Sequence, residues 1–220
     1  MSDERCAYCG GERPTTGDHV ISKALYPPSK ATSKFQRIKV PSCEDCNRSW
    51  TDDEPHFRNM LLVSGEPNSA VRELWEGKTQ RSFRYEDGAR RRRDLAAQMV
   101  AVQTPEGLRH QVFPGRDPRV IRVVRKVVRG LCHHHGLLSA IPDGQVWADV
   151  QMFAVPPAFL DEMTEAHAEE DVLRYRFGVL DQDEDIHSSW LLTFYERTPF
   201  FAIVFRSEAA HERLERGGAG

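Results

Sequence analysis

The clearest pattern in the chain is an apolar stripe at helical spacing over residues 118–135. Val120, Ile121, Val123, Val124, Val127, Val128 and Leu131 recur at intervals of three and four. Arg119, Arg122, Arg125, Lys126 and Arg129 fall between them, which predicts a helix with a core-facing stripe flanked by basic rows. Phe35–Val40 alternates apolar and polar residues and predicts a strand. Further strands are predicted at Val146–Val155 and Val172–Leu180. A hairpin, Ser189–Glu196 with Phe200–Arg206, is turned by Arg197-Thr198-Pro199. These strands alternate well enough for an antiparallel sheet with one covered face. A proline pair opens a short helix at Pro157–Ala168, and Asp181–Asp185 reads as an acidic loop.

The N-terminal third is more broken. Residues 1–14 are turn-rich, Thr15–Ile21 is extended and Leu25–Pro28 is a loop. A helix is predicted to start near Cys43–Asn47 and run toward Val63, with Pro55 kinking or restarting it. Residues 64–69 break it, and Ser69–Glu76 forms another short helix. Arg81–Glu86 reads as a strand, Asp87-Gly88 as a turn, and Gly217–Gly220 as a disordered tail. The class is α+β. An N-terminal module at 1–65 is followed by a basic connecting segment at 66–117. A C-terminal unit at 118–216 holds a helix and a small antiparallel sheet.

Composition changes this picture in two places. The 220 residues include 30 Lys+Arg, 33 Asp+Glu, 9 His and 5 Cys, for a net charge of −3. That average conceals a basic segment, +8 over residues 81–130, and an acidic one, −10 over residues 131–220. The basic segment contains Arg90-Arg91-Arg92-Arg93, and clustered arginine of this kind neutralises phosphates. No apolar run approaches the ~18–20 residues of a membrane span, and MSDERCAYCG carries no signal-like apolar core. Both point to the cytoplasm, no membrane partner and reduced cysteines.

Four of the five cysteines form two tight pairs, Cys6-x-x-Cys9 and Cys43-x-x-Cys46. Two such knuckles supply the four thiolates of a closed tetrahedral Zn2+ site, which holds a fold and leaves no position open for substrate. Any chemistry must lie elsewhere. Between the pairs stand Asp18 and His19, and Asn47 follows the fourth cysteine directly. A carboxylate and an asparagine oxygen suit a hard divalent ion, while the neighbouring imidazole stays free to take a proton from water.

In that order, Thr15-Thr16-Gly17-Asp18-His19-Val20 and Val40-Pro41-Ser42-Cys43-Glu44-Asp45-Cys46-Asn47 resemble the zinc-containing HNH endonucleases of the ββα-metal fold. The resemblance covers roughly residues 5–60. It implies an endonuclease in which a hairpin carries Asp18 and His19 and the next helix carries Asn47. Asp18 and Asn47 would hold a catalytic Mg2+ or Mn2+, and His19 would act as general base. Cleavage would leave 5′-phosphate and 3′-hydroxyl ends. For the third family position His56 fits the spacing from Asn47, with Asp52, Asp53 and Glu54 as competitors.

Under that reading the substrate is DNA, with RNA left open. Arg90, Arg91, Arg92, Arg93, Arg122, Arg125 and Lys126 are the expected phosphate contacts. The alternative is a non-catalytic zinc-knuckle module that binds nucleic acid or protein. Cys132-His133-His134-His135 reads as a buried thiol followed by the basic end of a helix rather than as a second metal site. The acidic C-terminal unit suits a scaffold, a homodimer contact or a protein partner.

Overall fold

The computed structural model describes residues 5–12, 15–32, 37–64, 67–104, 107–112, 115, 117–169 and 171–217. Its architecture mixes helices with small antiparallel sheets. Strands β1 (Thr15–His19) and β2 (Lys39–Cys43) pair with Thr15 opposite Cys43, Asp18 opposite Val40 and His19 opposite Lys39. The strand expected at Phe35–Val40 therefore sits later in the chain and continues through Pro41 and Ser42. Phe35 and Gln36 lie outside the described residues. Pro41 is tolerated because a two-stranded ribbon leaves one side of each strand unpaired.

β2 runs directly into α1 (Glu44–Arg48), whose first turn carries Glu44 and Asp45 at the positive end of the helix. A turn at 49–52 separates it from α2 (Asp53–Val63). Pro55 falls in the first turn of α2, where a missing N–H breaks no helical bond, so the proline marks a restart rather than a kink. Asn68 caps α3 (Ser69–Leu74) by accepting from Val71 N at 3.0 Å.

A wide turn at Trp75–Thr79 leads to α4 (Gln80–Arg84), α5 (Glu86–Gln98) and a hairpin of β3 (Met99–Thr104) with β4 (Gly107–Val112). The strand expected at Arg81–Glu86 and the turn at Asp87-Gly88 are not formed; both stretches are helical. Alternation would put Phe83 and Tyr85 on one face. Instead Phe83 is buried against Trp75, with ring centroids 5.8 Å apart, while Tyr85 is 70% exposed.

The predicted apolar helix is α6 (Pro118–His134), and it lies at the centre of the molecule. Asp117 caps it by accepting from Arg119 N at 2.9 Å, and Pro118 stands at its first position. Gly136, at φ 67°, ends it in the left-handed region. Val120, Val123, Val124, Val127, Val128 and Leu131 are all buried, and the helix packs on α2 and β2. Close approach is needed at Gly130, where a Cβ would lie 2.7 Å from Val20 Cγ2.

Beyond α6, five strands form one antiparallel sheet: β5 (Val146–Val150), β6 (Thr164–His167), β7 (Leu173–Val179), β8 (Ile186–Phe194) and β9 (Thr198–Phe205), in the order β5-β9-β8-β7-β6. Two expectations are corrected here. The helix foreseen over Pro157–Ala168 stops as α7 (Pro157–Asp161), and the remainder is the mostly exposed edge strand β6. The hairpin turn is Tyr195-Glu196-Arg197, with φ positive at Tyr195 and Glu196, so Thr198 and Pro199 belong to β9. A final helix, α8 (Glu208–Gly217), precedes the last glycine-rich residues, 218–220, which lie outside the described residues.

One cluster of buried side chains runs from Cys6 and Val20 through α2 and α6 to the sheet. Phe57 of α2 meets Phe194 edge-on at 5.1 Å, and the Tyr195 hydroxyl donates to Leu25 O at 2.7 Å. Arg197 Nη2 donates to Leu61 O at 2.6 Å near the end of α2. The N-terminal hairpin is thereby fixed against the same core as the C-terminal sheet. None of the described helices is long and apolar enough to cross a membrane.

Candidate metal centre and the charged cluster behind it

The first knuckle is a tight turn over Cys6–Gly11, closed by Gly10 N donating to Cys6 O at 2.8 Å. Gly10 has φ +70°, and a Cβ there would stand 2.9 Å from Ala140 Cβ, so both conformation and space demand glycine. Ala7 N donates to Pro41 O at 2.8 Å, which ties this turn to β2. The second knuckle is built by the end of β2 and the first turns of α1.

Together they bring the sulfurs of Cys6, Cys9, Cys43 and Cys46 within 4.8 Å of one another. Cys9 Sγ and Cys43 Sγ are 3.8 Å apart. A tetrahedron with Zn–S bonds of ~2.3 Å has edges of about 3.8 Å, so the spacing fits zinc. Burial drives the Cys6 thiol up, but backbone N–H groups aimed at the sulfur outweigh it and bring the pKa down to about 7. Burial and the neighbouring sulfurs push Cys46 up instead. Four thiolates this close need a cation among them, and a zinc ion supplies one. The group is a four-cysteine cluster compatible with a structural zinc ion.

β1 and α1 then set the other predicted residues around this centre. Asn47 is exposed on α1 and its Nδ2 donates to Thr16 Oγ1 at 3.3 Å. Thr16 and Asp18 share one face of β1. Asp18 is 8% exposed and its Oδ2 meets Lys126 Nζ at 3.0 Å. Burial lifts the Asp18 carboxyl above its ordinary range, with Lys126 pulling against the shift. His19 is half-buried, and burial, followed by the charges of Lys23, Lys39, Arg37 and Lys126, lowers it to about 4. Its imidazole is neutral at pH 7.

Lys126 corrects one expectation and supplies a residue that sequence reasoning misplaced. Expected on a solvent-facing basic row, it is 1% exposed. Its Nζ donates to Glu54 Oε1 at 2.6 Å and to His19 O at 3.1 Å, besides pairing with Asp18. A buried ammonium is tolerable only with such partners. The position offered one signal: residue 126 stands three after Val123 and four before Gly130, both buried.

His56, the third ligand that the resemblance suggested, is also spoken for. Its Nε2 lies 2.6 Å from Asp117 Oδ2, and both residues are buried. Among the described residues the four cysteines form the only group of three or more His, Cys, Asp or Glu ligand atoms close enough to hold a metal. Of the competitors, Glu54 is the one drawn to Asp18, through Lys126, while Asp53 pairs with Arg122 at 2.7 Å.

The remaining arginines divide. Arg122 also lies over the Trp50 ring at 4.8 Å, and Arg125 pairs with Asp143 at 3.2 Å. Arg90, Arg91, Arg92 and Arg93 are exposed on α5. Basic residues not foreseen as contacts surround His19: Lys23, Arg37 and Lys39. At the end of α6, Cys132 is fully buried, His133 Nδ1 meets Ser139 Oγ at 2.7 Å and His135 Nε2 meets the Tyr175 hydroxyl at 3.0 Å. Compared with protein-family models, curated proteins and solved structures, the chain matches none.

Proposed function

We propose that the chain is a metal-dependent endonuclease of the HNH type acting on DNA, with zinc as its structural ion. One observation supports this reading: the four-cysteine cluster joins the β1–β2 hairpin, whose first strand carries Asp18 and His19, to α1, whose Asn47 bonds Thr16 on that strand. A zinc-knuckle binder has no need of that set.

Asp18 and Asn47 would hold a divalent ion, Mg2+ or Mn2+, which tolerates few protein ligands because it keeps several waters. When bound, such an ion polarises the scissile phosphate and stabilises the leaving oxygen. The chain's own groups do the rest. The neutral imidazole of His19 accepts the proton of the attacking water. Lys23, Arg37 and Lys39 draw the phosphodiester to that strand. Lys126 fixes the Asp18 carboxylate and, through His19 O, the backbone of the base.

A second reading is a zinc-knuckle module without catalysis, favoured by the burial of Asp18 against Lys126. Plasmid incubation in Mg2+ or Mn2+, with and without chelator, separates the two. The endonuclease reading expects metal-dependent nicking that is lost in His19→Ala while zinc content and melting are retained. Nicking by purified His19→Ala at the wild-type rate removes His19 as base. Absence of nicking by the wild-type chain under every metal leaves the binding module.

A further inference from the structure

On the far side of α2 from Glu54 lies a polar cavity of about 660 Å³. Two buried side chains form its floor, His56 at 8% exposure and Asn59 at 3%, one helical turn apart. The imidazole is fixed from behind: Nε2 lies against Asp117 Oδ2, and Asp117 is held in turn by the Arg119 guanidinium at 3.0 Å. Nδ1 has no hydrogen-bond partner among the described residues. Asn59 Oδ1 accepts from Arg58 Nη2 at 3.1 Å and Nε at 3.3 Å, and its amide nitrogen has no acceptor among the described residues.

Arg90, Arg91 and Arg93 of α5 line the wall, and none has a carboxylate at ion-pair distance among the described residues. Asp52 and Asp94 also line the cavity and offset part of this charge; Arg119, at the rim, is already held by Asp117. Guanidinium groups with no carboxylate partner among the described residues, set above the Asn59 amide, attract an anion. With Nε2 turned to Asp117, His56 presents Nδ1 to the cavity it lines.

We infer that this cavity is a phosphate-binding site, in which Arg90, Arg91 and Arg93 hold the phosphate oxygens, the Asn59 amide donates to them from below and His56 shapes the floor. Guanidinium–phosphate contacts are charge-assisted and directional, unlike a diffuse basic surface. Two sources share the chemistry: a phosphate within a nucleic-acid strand, and a free phosphate or nucleotide. Geometry permits the first. Asp117 and Lys126 are nine residues apart on or at the start of α6, ~13 Å along its axis. A strand with one phosphate per ~3.4 Å of duplex axis spans that in about four nucleotides. The inference rests on the cavity alone and not on cleavage.

The test titrates the zinc-loaded full chain with inorganic phosphate by calorimetry at fixed salt, then repeats it with a short oligonucleotide present. The variants are Arg91→Gln/Arg93→Gln, whose side chains are exposed, and His56→Gln. Arg213→Gln, far along α8, is the control. Saturable phosphate binding is expected, weakened at least about tenfold in the double arginine variant and unchanged in the control. Competition by the oligonucleotide supports the site and assigns it to a strand phosphate. Binding without competition supports it and assigns it to a free phosphate. An absence of saturable binding, or equal binding by the double arginine variant, overturns it. His19→Ala retains phosphate binding in either case, so this inference and the endonuclease reading fail separately.

Discussion

Replacing Lys126 by Met removes an ammonium that is 1% exposed and leaves Asp18 and Glu54 facing one another. At an effective dielectric near 20, the contacts at 2.6 and 3.0 Å are each worth about 6 kcal/mol in gross Coulomb energy. Several kcal/mol of ammonium desolvation oppose them. Deleting one partner of a buried pair costs about 3–5 kcal/mol, most of it from the charges left behind. Glu54, with a side chain 20% exposed, can rehydrate, which favours the lower end, about 3 kcal/mol. That is roughly a 150-fold shift in the unfolding equilibrium.

With a urea slope of about 3 kcal/mol/M, the midpoint should fall by about 1 M. The comparison is made at equal zinc, because metal bound to the native state adds to stability. Lys126→Met combined with Glu54→Gln should recover part of the loss, since the second change removes one orphaned charge. A midpoint for Lys126→Met within 0.2 M of wild type would refute the description of Lys126 as the hub of a buried ion cluster.

Three further outcomes follow from the same contacts. Metal analysis should give about one zinc per chain, and Cys43→Ser should lose the ion and melt markedly lower, because binding energy of a structural zinc is folding energy. Gly10→Ala forces a side chain into φ +70° and against Ala140, so it should cost about 1–3 kcal/mol and weaken zinc retention; an unchanged melt contradicts the packing. Burial pushes the Cys132 thiol up to about 12, so iodoacetamide at pH 8 should leave it unmodified in the native protein and label it once denatured. Peptide mapping reads that directly.

Local rules were enough for part of this molecule. The spacing of Cys6, Cys9, Cys43 and Cys46 implied a shared ion because each knuckle is a turn of the chain itself, and the sulfurs do converge. The stripe from Val120 to Leu131 implied α6 because helical periodicity is written in consecutive residues. Where alternation misled, at Arg81–Glu86, Phe83 packs on Trp75 while Tyr85 faces solvent, a split that alternation does not produce. The edge strand β6 was hidden for a related reason, since an exposed edge carries almost no apolar alternation.

The charged residues mark the boundary most sharply. By itself the sequence determined that α6 is studded with cations and that Asp18, His19 and Asn47 stand between and beside the cysteines. It left open which cations reach solvent, because α6 is enclosed by α2, β2 and the sheet on most of its circumference rather than on one face. Only the tertiary structure decided that Lys126 turns inward to Asp18 and Glu54, and that His56 is held by Asp117 rather than offered to a metal at Asp18. A charge can be buried only where opposite charges from remote segments meet it, and that pairing is set by packing, not by order along the chain.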